Sequence, residues 1–359
     1  MNTTKNISTR MMSLDIIRGF ALLGVLIAHA PMLSKDPPFL KYSTDFYLLV
    51  FNDLFINLKF VSIYSFLFGI GSQVFFSRTQ QRGLQSKKLF SRRLITLLPI
   101  GMIPILMGSP VTPILITYSL LGFILLPFFK LKPRIILSIA GILASCSMIF
   151  MIATMVSTKS LGIFAIKYMI NYNLLIISMF FLGLYVGKIN LFQQLSQKMS
   201  IIKQIHKISF FLSLPLILGG LWVAYISPSP NVASNIIFRG IGIVASYPLS
   251  IFYVSSILIL YNKNYFMYIF QPLSYVGRIS LTAYVGHLLL IKLCVSLLGW
   301  TNGYTLVQSW ILVCIVFTIL SIFSFVWVQK FQQGPLEKIW RIFTYGKLSR
   351  FNKGSGINK

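Results

Sequence analysis

LDIIRGFALLGVLIAH, residues 14–29, is apolar enough to cross a lipid bilayer, yet it holds Asp15, Arg18 and His29. An ionisable side chain at bilayer depth costs at least a few kcal/mol, so such residues face a protein interior or a watery cavity. Arg18 and His29 are eleven residues apart. At about 100° per residue, that spacing returns to within about 20° of one helix face, with a rise of roughly 16 Å. Asp15 lies one turn before Arg18 on the same face. The stretch predicts a membrane helix with a polar stripe turned toward protein partners. Gly19 and Gly24 let neighbouring helices come close.

The rest of the chain agrees with a membrane protein. Of its 359 residues 56% are hydrophobic and 10% charged, and the mean hydropathy is +0.80. A soluble protein of this length needs far more charge to cover its surface. Runs of roughly 20 apolar residues, each long enough for a transmembrane helix, recur throughout. The expected fold class is all-α, a polytopic integral membrane bundle of about ten transmembrane helices. The net charge of +27 fits either nucleic-acid binding or the Lys and Arg excess of cytoplasmic loops. Placement decides between them.

Ten spans are expected, near residues 14–33, 59–77, 94–108, 111–129, 135–156, 168–187, 208–227, 237–260, 279–299 and 306–329. With the N-terminus inside, 25 of the 32 Lys and Arg fall on the cytoplasmic side and 7 on the outer side or nearby span ends. That alternation puts both termini in the cytoplasm. It also makes the basicity topological and removes nucleic acid from the expected partners. AHA at 28–30 resembles a signal-peptidase site, but Pro31 follows it and Asp15 and Arg18 interrupt the run, so the first span reads as uncleaved. Pro99 and Pro104 interrupt the third span, and GSPVTP joins it to the fourth. Two spans or a re-entrant hairpin both fit there, and the later topology is the same for either. Residues 1–345 read as one transmembrane domain, its C-terminal part about 235–345, and 346–359 as a mobile basic cytoplasmic tail. The outer stretch 34–58 is the longest external segment and holds Asp36, Asp45 and Asp53.

Most other polar residues have plain readings. Cys146, Cys294 and Cys314 sit in hydrophobic runs without metal-type spacing and read as packing residues, and no metal site is expected. His206 reads as a surface residue of a Lys-rich loop. Trp222, Trp300 and Trp310 read as interface anchors. Glu337 is the only Glu and is expected to set the amphipathic helix PLEKIWRIF against the inner membrane face.

The first span resembles that of the acyltransferase family 3 membrane proteins, whose motif of Arg, ten residues, His is matched by Arg18 and His29. MSLDIIRGFALLG at 12–24 looks still more like the opening of the YeiB family of bacterial membrane proteins (domain of unknown function 418). FVSIYSFLFGIGSQVF at 60–75 resembles that family's second block. GRISLTAYVGHLLL at 277–290 resembles the block opening its C-terminal domain, and GPLEKIWRIFTYG at 334–346 its closing signature. The YeiB family is grouped with heparan-α-glucosaminide N-acetyltransferase in a transmembrane acyltransferase superfamily. The resemblance implies a multi-pass protein of the bacterial cell membrane that passes an acyl group, acetyl by preference, from cytoplasmic acyl-CoA to an envelope glycan, a lipid or a small exported molecule. His287 stands where the YeiB pattern has an amide residue. The luminal histidine loop of the heparan enzyme has no counterpart in 34–58, which holds no His.

On that reading His29, with His287, is the catalytic candidate. A neutral imidazole suits removal of an acceptor proton at pH 7. Arg18 with Asp15, Arg278, and Arg92 and Arg93 in the basic 78–93 loop are candidate partners for the donor's phosphates. Each has an alternative: Arg18 and Arg278 as snorkelling cations, the 78–93 loop as topology signal, His29 as a hydrogen-bonded interior imidazole. A second function class also fits, a non-catalytic membrane accessory to the export machinery for a small peptide such as a lantibiotic, or to immunity against one.

Overall fold

The computed structural model describes residues 12–34, 42–109, 111, 114–157, 160–226 and 232–346. Asp36 and the tail beyond residue 346 lie outside them. All regular structure among the described residues is helical: α1 (Met12–His29), α2 (Thr44–Phe51), α3 (Lys59–Gln81), α4 (Ser86–Leu106), α5 (Ile114–Gly122), α6 (Pro133–Ser157), α7 (Leu161–Lys188), α8 (Met199–Ile226), α9 (Val232–Asn262), α10 (Met267–Arg278), α11 (Ser280–Leu297), α12 (Leu306–Lys330) and α13 (Pro335–Tyr345). Among the described residues, nine helical stretches are long and apolar enough to cross a membrane. The protein is a polytopic helical bundle.

The fourth expected span takes an irregular form. α5 is short and continues through 3₁₀ turns at Phe123–Leu125 and Phe128–Lys130. The Ser119 hydroxyl donates to the Leu94 carbonyl. Phe129 then stacks on Phe76 at 4.3 Å and meets Phe90 edge-on at 5.0 Å. Lys188, at the end of α7, donates to the Leu131 carbonyl at 2.5 Å. Phe76, Phe90 and Lys188 belong to one end of the bundle, so residues 114–131 return to the side from which α4 left. Residues 114–131 therefore run back alongside α4, short of a regular membrane helix. Their return brings the last described helix, α13, to the same end as the start of α1, which is the basic end.

The expected external segment 34–58 is also more structured than a loop. α2 runs into a π-helical turn at Asn52–Ile56, and Leu58 at φ 67° redirects the chain into α3. Lys59, first in α3, is 0% exposed, and its ammonium donates to the Asp53 carbonyl at 2.7 Å. Asn57 donates to the Asp53 carboxylate at 2.5 Å. The backbone groups freed by the π turn and this buried cation satisfy one another, which keeps an irregular segment tolerable beside membrane helices.

α1 occupies the centre, packed by α3, α10, α11 and α12. Ile16, Ile17, Leu22 and Leu26 are fully buried. Two close approaches set the frame. A Cβ on Gly277 would collide with the Asp15 carbonyl, and one on Gly19 with the Leu273 carbonyl, so α10 lies backbone to backbone on α1. Gly69 and Gly183 allow the same between α3 and α7. Between helices in lipid, contact gains come from packing, and small residues permit the approach. A striped helix placed centrally turns its polar face onto protein on every side.

Candidate functional site

The two expected histidines meet. His29 Nδ1 lies 3.0 Å from His287 Nε2. Tyr284, one turn before His287 on α11, completes an aromatic cluster, its ring centroid 5.3 Å from His287 and 6.2 Å from His29. His287 is wholly buried and His29 half-buried. Neutral imidazole carries one N–H and one bare nitrogen. His287 Nδ1 makes no hydrogen bond but faces the Tyr284 and Ala283 carbonyls one turn back. Those carbonyls favour a proton on His287 Nδ1, assigned here from its acceptors. His287 Nε2 then accepts from His29 Nδ1–H, and His29 Nε2 is left as a bare lone pair. His29 becomes the base and His287 the residue that orients it, the logic of an orienting partner behind a general base.

The far end of α1 is pinned beside this pair. The Tyr304 hydroxyl donates to the Ala30 carbonyl at 2.5 Å, and burial pushes this phenol up to about 12. Ser34 donates to the Tyr304 carbonyl at 2.7 Å and accepts from its amide at 2.8 Å. The residue following His29 is thus held by the loop between α11 and α12.

Toward the basic end, polar residues continue along the same side of α1. Arg18 pairs with Asp15 at 3.1 Å, its side chain 33% exposed and that of Asp15 5%. Tyr64 donates to the Arg18 carbonyl at 3.4 Å. Arg18, Tyr284 and Glu337 are the polar groups in the surroundings of Tyr64. The Tyr284 hydroxyl is buried, faces the Ile114 amide and donates to no acceptor. A polar track therefore runs from Arg18 through Tyr64 and Tyr284 to the histidines.

Glu337 is the residue that sequence reasoning misplaced in role. α13 is the amphipathic helix expected, but its carboxylate points into the protein. It accepts from the Leu281 amide at 2.7 Å, the Thr282 amide at 3.3 Å and the Thr282 hydroxyl at 2.5 Å. The residue before α11, Ile279, offers no capping side chain. Glu337 supplies both acceptors and negative charge where the orphan amides and the positive helix end call for them. The signal was available: a single Glu in an apolar chain beside a helix start that lacks its own cap.

The basic candidates separate. Arg93 is sandwiched by Phe75, 4.8 Å from its ring centre, and Trp340, at 4.1 Å, while the Trp340 indole donates to the Arg93 carbonyl at 2.9 Å. It also lies close enough to Arg18 to feel its charge. Arg92 is exposed on the other side of α4, against Gly346. Arg278 closes α10 one residue after the Gly277–Asp15 contact. Lys292 is remote from the histidines' basic approach and donates to the Met107 carbonyl at 2.5 Å. His206 is not a loop residue: it sits within α8, stacked on Phe252 at 4.7 Å and 3.1 Å from the Ser255 hydroxyl. Among the described residues no group of three His, Cys, Asp or Glu side chains is placed to hold a metal ion.

Fold and site together define a multi-pass membrane protein with a buried histidine pair at the end of a polar track. Residues 186–347 match the model of a family described as a protein of unknown function (DUF418). The chain is 29% identical over 355 residues to an uncharacterized 39.9 kDa protein in the amylase 3′ region of Bacillus acidopullulyticus, covering 94% of each chain. It is 28% identical over 398 residues to the uncharacterized protein YxaH of Bacillus subtilis (strain 168), covering 92% of this chain and 93% of that one. These matches support the DUF418 family; none of the descriptions names an activity. No solved structure matches the chain.

Proposed function

We propose that the protein is an integral membrane acyltransferase that moves an acyl group, acetyl by preference, from cytoplasmic acyl-CoA to a hydroxyl or amine of an envelope or exported acceptor. The observation that carries this reading is the 3.0 Å contact between His29 and His287, which leaves one bare imidazole nitrogen at the end of the polar track away from the basic side. His29 Nε2 takes the acceptor's proton as its oxygen or nitrogen attacks the thioester carbonyl. The new acyl bond forms, the C–S bond breaks, and the proton passes to the leaving thiolate. Such a base typically contributes about 10²–10⁴ in rate.

The donor fits the residues present. Arg18, one-third exposed, and Arg93 put two cations at the basic end of the polar row, where an anionic donor from that side would bind. Arg278 and exposed Arg92 add positive charge at that end. The Tyr284 hydroxyl, buried and donating to no acceptor, is a donor available to a carbonyl oxygen near the histidines.

The test is transfer of radiolabel from acetyl-CoA in membrane vesicles to endogenous acceptors. His29→Gln keeps bulk and hydrogen-bonding capacity, so it should leave the protein stable while abolishing labelling. Full cellular function in a well-expressed His29→Gln variant would sink the enzyme and leave the export-accessory reading standing.

A further inference from the structure

A second feature lies in helices that contribute nothing to the histidine pair. α6 and α8 both pack closely on α9 and far less on one another. A cavity of about 630 Å³ is walled by α3, α7, α8 and α9 and reaches Leu137 of α6. It continues into a second cavity of about 330 Å³ between α6 and α8, and Leu137, Met179, Leu182, Ile205 and Ile251 line both. The first lies in the range of about 300–1,000 Å³ typical of ligand sites. Its walls are apolar in effect, because the serines there are turned back on their own backbone. Ser62 donates to the Leu58 carbonyl, Ser250 to that of Ser246, and Ser255 to that of Phe252. An apolar crevice of this kind does not hold water, and α6 and α8 face the bilayer.

The mouth of the crevice is different. Lys198, in the turn between α7 and α8, lines it at the basic end. Its ammonium donates to the Ile189 carbonyl at 2.5 Å, which leaves two of its three N–H groups for another acceptor. Lys132, Arg134 and Lys203 are exposed at the same ends of α6 and α8. No Asp or Glu occurs anywhere between residues 54 and 336. The site therefore joins a hydrocarbon slot to a cation cluster with no counter-charge of its own. Basic pockets between membrane helices at the cytoplasmic side bind anionic lipid head groups.

We infer that the crevice between α6 and α8 binds one anionic phospholipid of the cytoplasmic leaflet, with an acyl chain along Ile205 and Met179 and its phosphate at Lys198. The full-length protein, purified in mild detergent, is titrated with phosphatidylglycerol or phosphatidylcholine and the bound lipid counted by native mass spectrometry. The native protein retains one phosphatidylglycerol in preference to phosphatidylcholine. Ile205→Trp fills the slot and loses that lipid, while Ile149→Trp, on an outward position 67% exposed, keeps it. Lys198→Gln binds phosphatidylglycerol about fivefold more weakly, the worth of one basic contact at a membrane surface, and no longer discriminates between the lipids. Equal binding of both lipids by the native protein overturns the inference. So does unchanged phosphatidylglycerol affinity in Lys198→Gln, a substitution at a half-buried turn position that folds whether or not Ile205→Trp does.

Discussion

His29 and His287 are 258 residues apart in sequence, yet their ring nitrogens lie 3.0 Å from one another. At that distance one ring donates and the other accepts, so the pair acts as a unit. Residues that act as a unit have non-additive effects. His29→Gln and His287→Gln are each expected to lower acyl transfer by about 10²–10⁴, and the double variant to be no slower than the worse single one. Initial rates in vesicles with matched protein amounts measure this. Multiplicative losses would mean two independent roles.

Glu337 joins α13 to the start of α11 through three hydrogen bonds. Glu337→Ala removes a charged cap from half-buried amides and should cost about 2 kcal/mol. Glu337→Gln keeps acceptor capacity but not charge, and should lose about half as much. Thermal unfolding in detergent gives the order native, Gln, Ala. Limited proteolysis should cut within 335–345 first in the Ala variant.

Two glycines make a matched steric test. Gly277→Ala drives its Cβ into the Asp15 carbonyl, while at Gly71 a Cβ meets nothing within 4 Å. Forced overpacking of this kind costs about 1–3 kcal/mol. Gly277→Ala should therefore lower the thermal midpoint and the accumulated amount. Gly71→Ala should leave both unchanged or slightly raised, since Ala is the better helix former.

Orientation is checked by accessibility. In a background with Cys146, Cys294 and Cys314 replaced, cysteines at the exposed positions Arg82 and Gln194 should react with a membrane-impermeant reagent only in inverted vesicles. One at exposed Asn302 should react only from outside intact cells. Labelling of Arg82→Cys or Gln194→Cys from outside would reverse the topology.

Much of this protein was legible before folding because the bilayer is a severe solvent. A helix must satisfy its own backbone there, so apolar run length alone marked the spans. The polar stripe of α1 was legible for the same reason: charge in such a run has to face protein, and period 3.6 places Asp15, Arg18 and His29 together. The passages that escaped are those where the backbone departs from a regular helix. Residues 44–58 read as loop because they hold acids and an Asn pair, whereas the structure uses Asp53, Asn57 and buried Lys59 to stabilise a π turn. Residues 114–131 were ambiguous because a short helix with 3₁₀ turns carries no clean period.

By itself the sequence determined the class: an all-helical, multi-pass membrane protein whose first helix carries a polar stripe with a histidine. Periodicity and hydropathy are local quantities, and each helix shows them alone. Tertiary structure alone decided the partnerships. His287 had to be carried to His29, Glu337 turned inward to cap α11, and Arg93 set between Phe75 and Trp340 while Arg92 was left outside. Those outcomes depend on how rigid helices pack at Gly19 and Gly277, a matter of shape between segments distant in the chain, which no local pattern encodes.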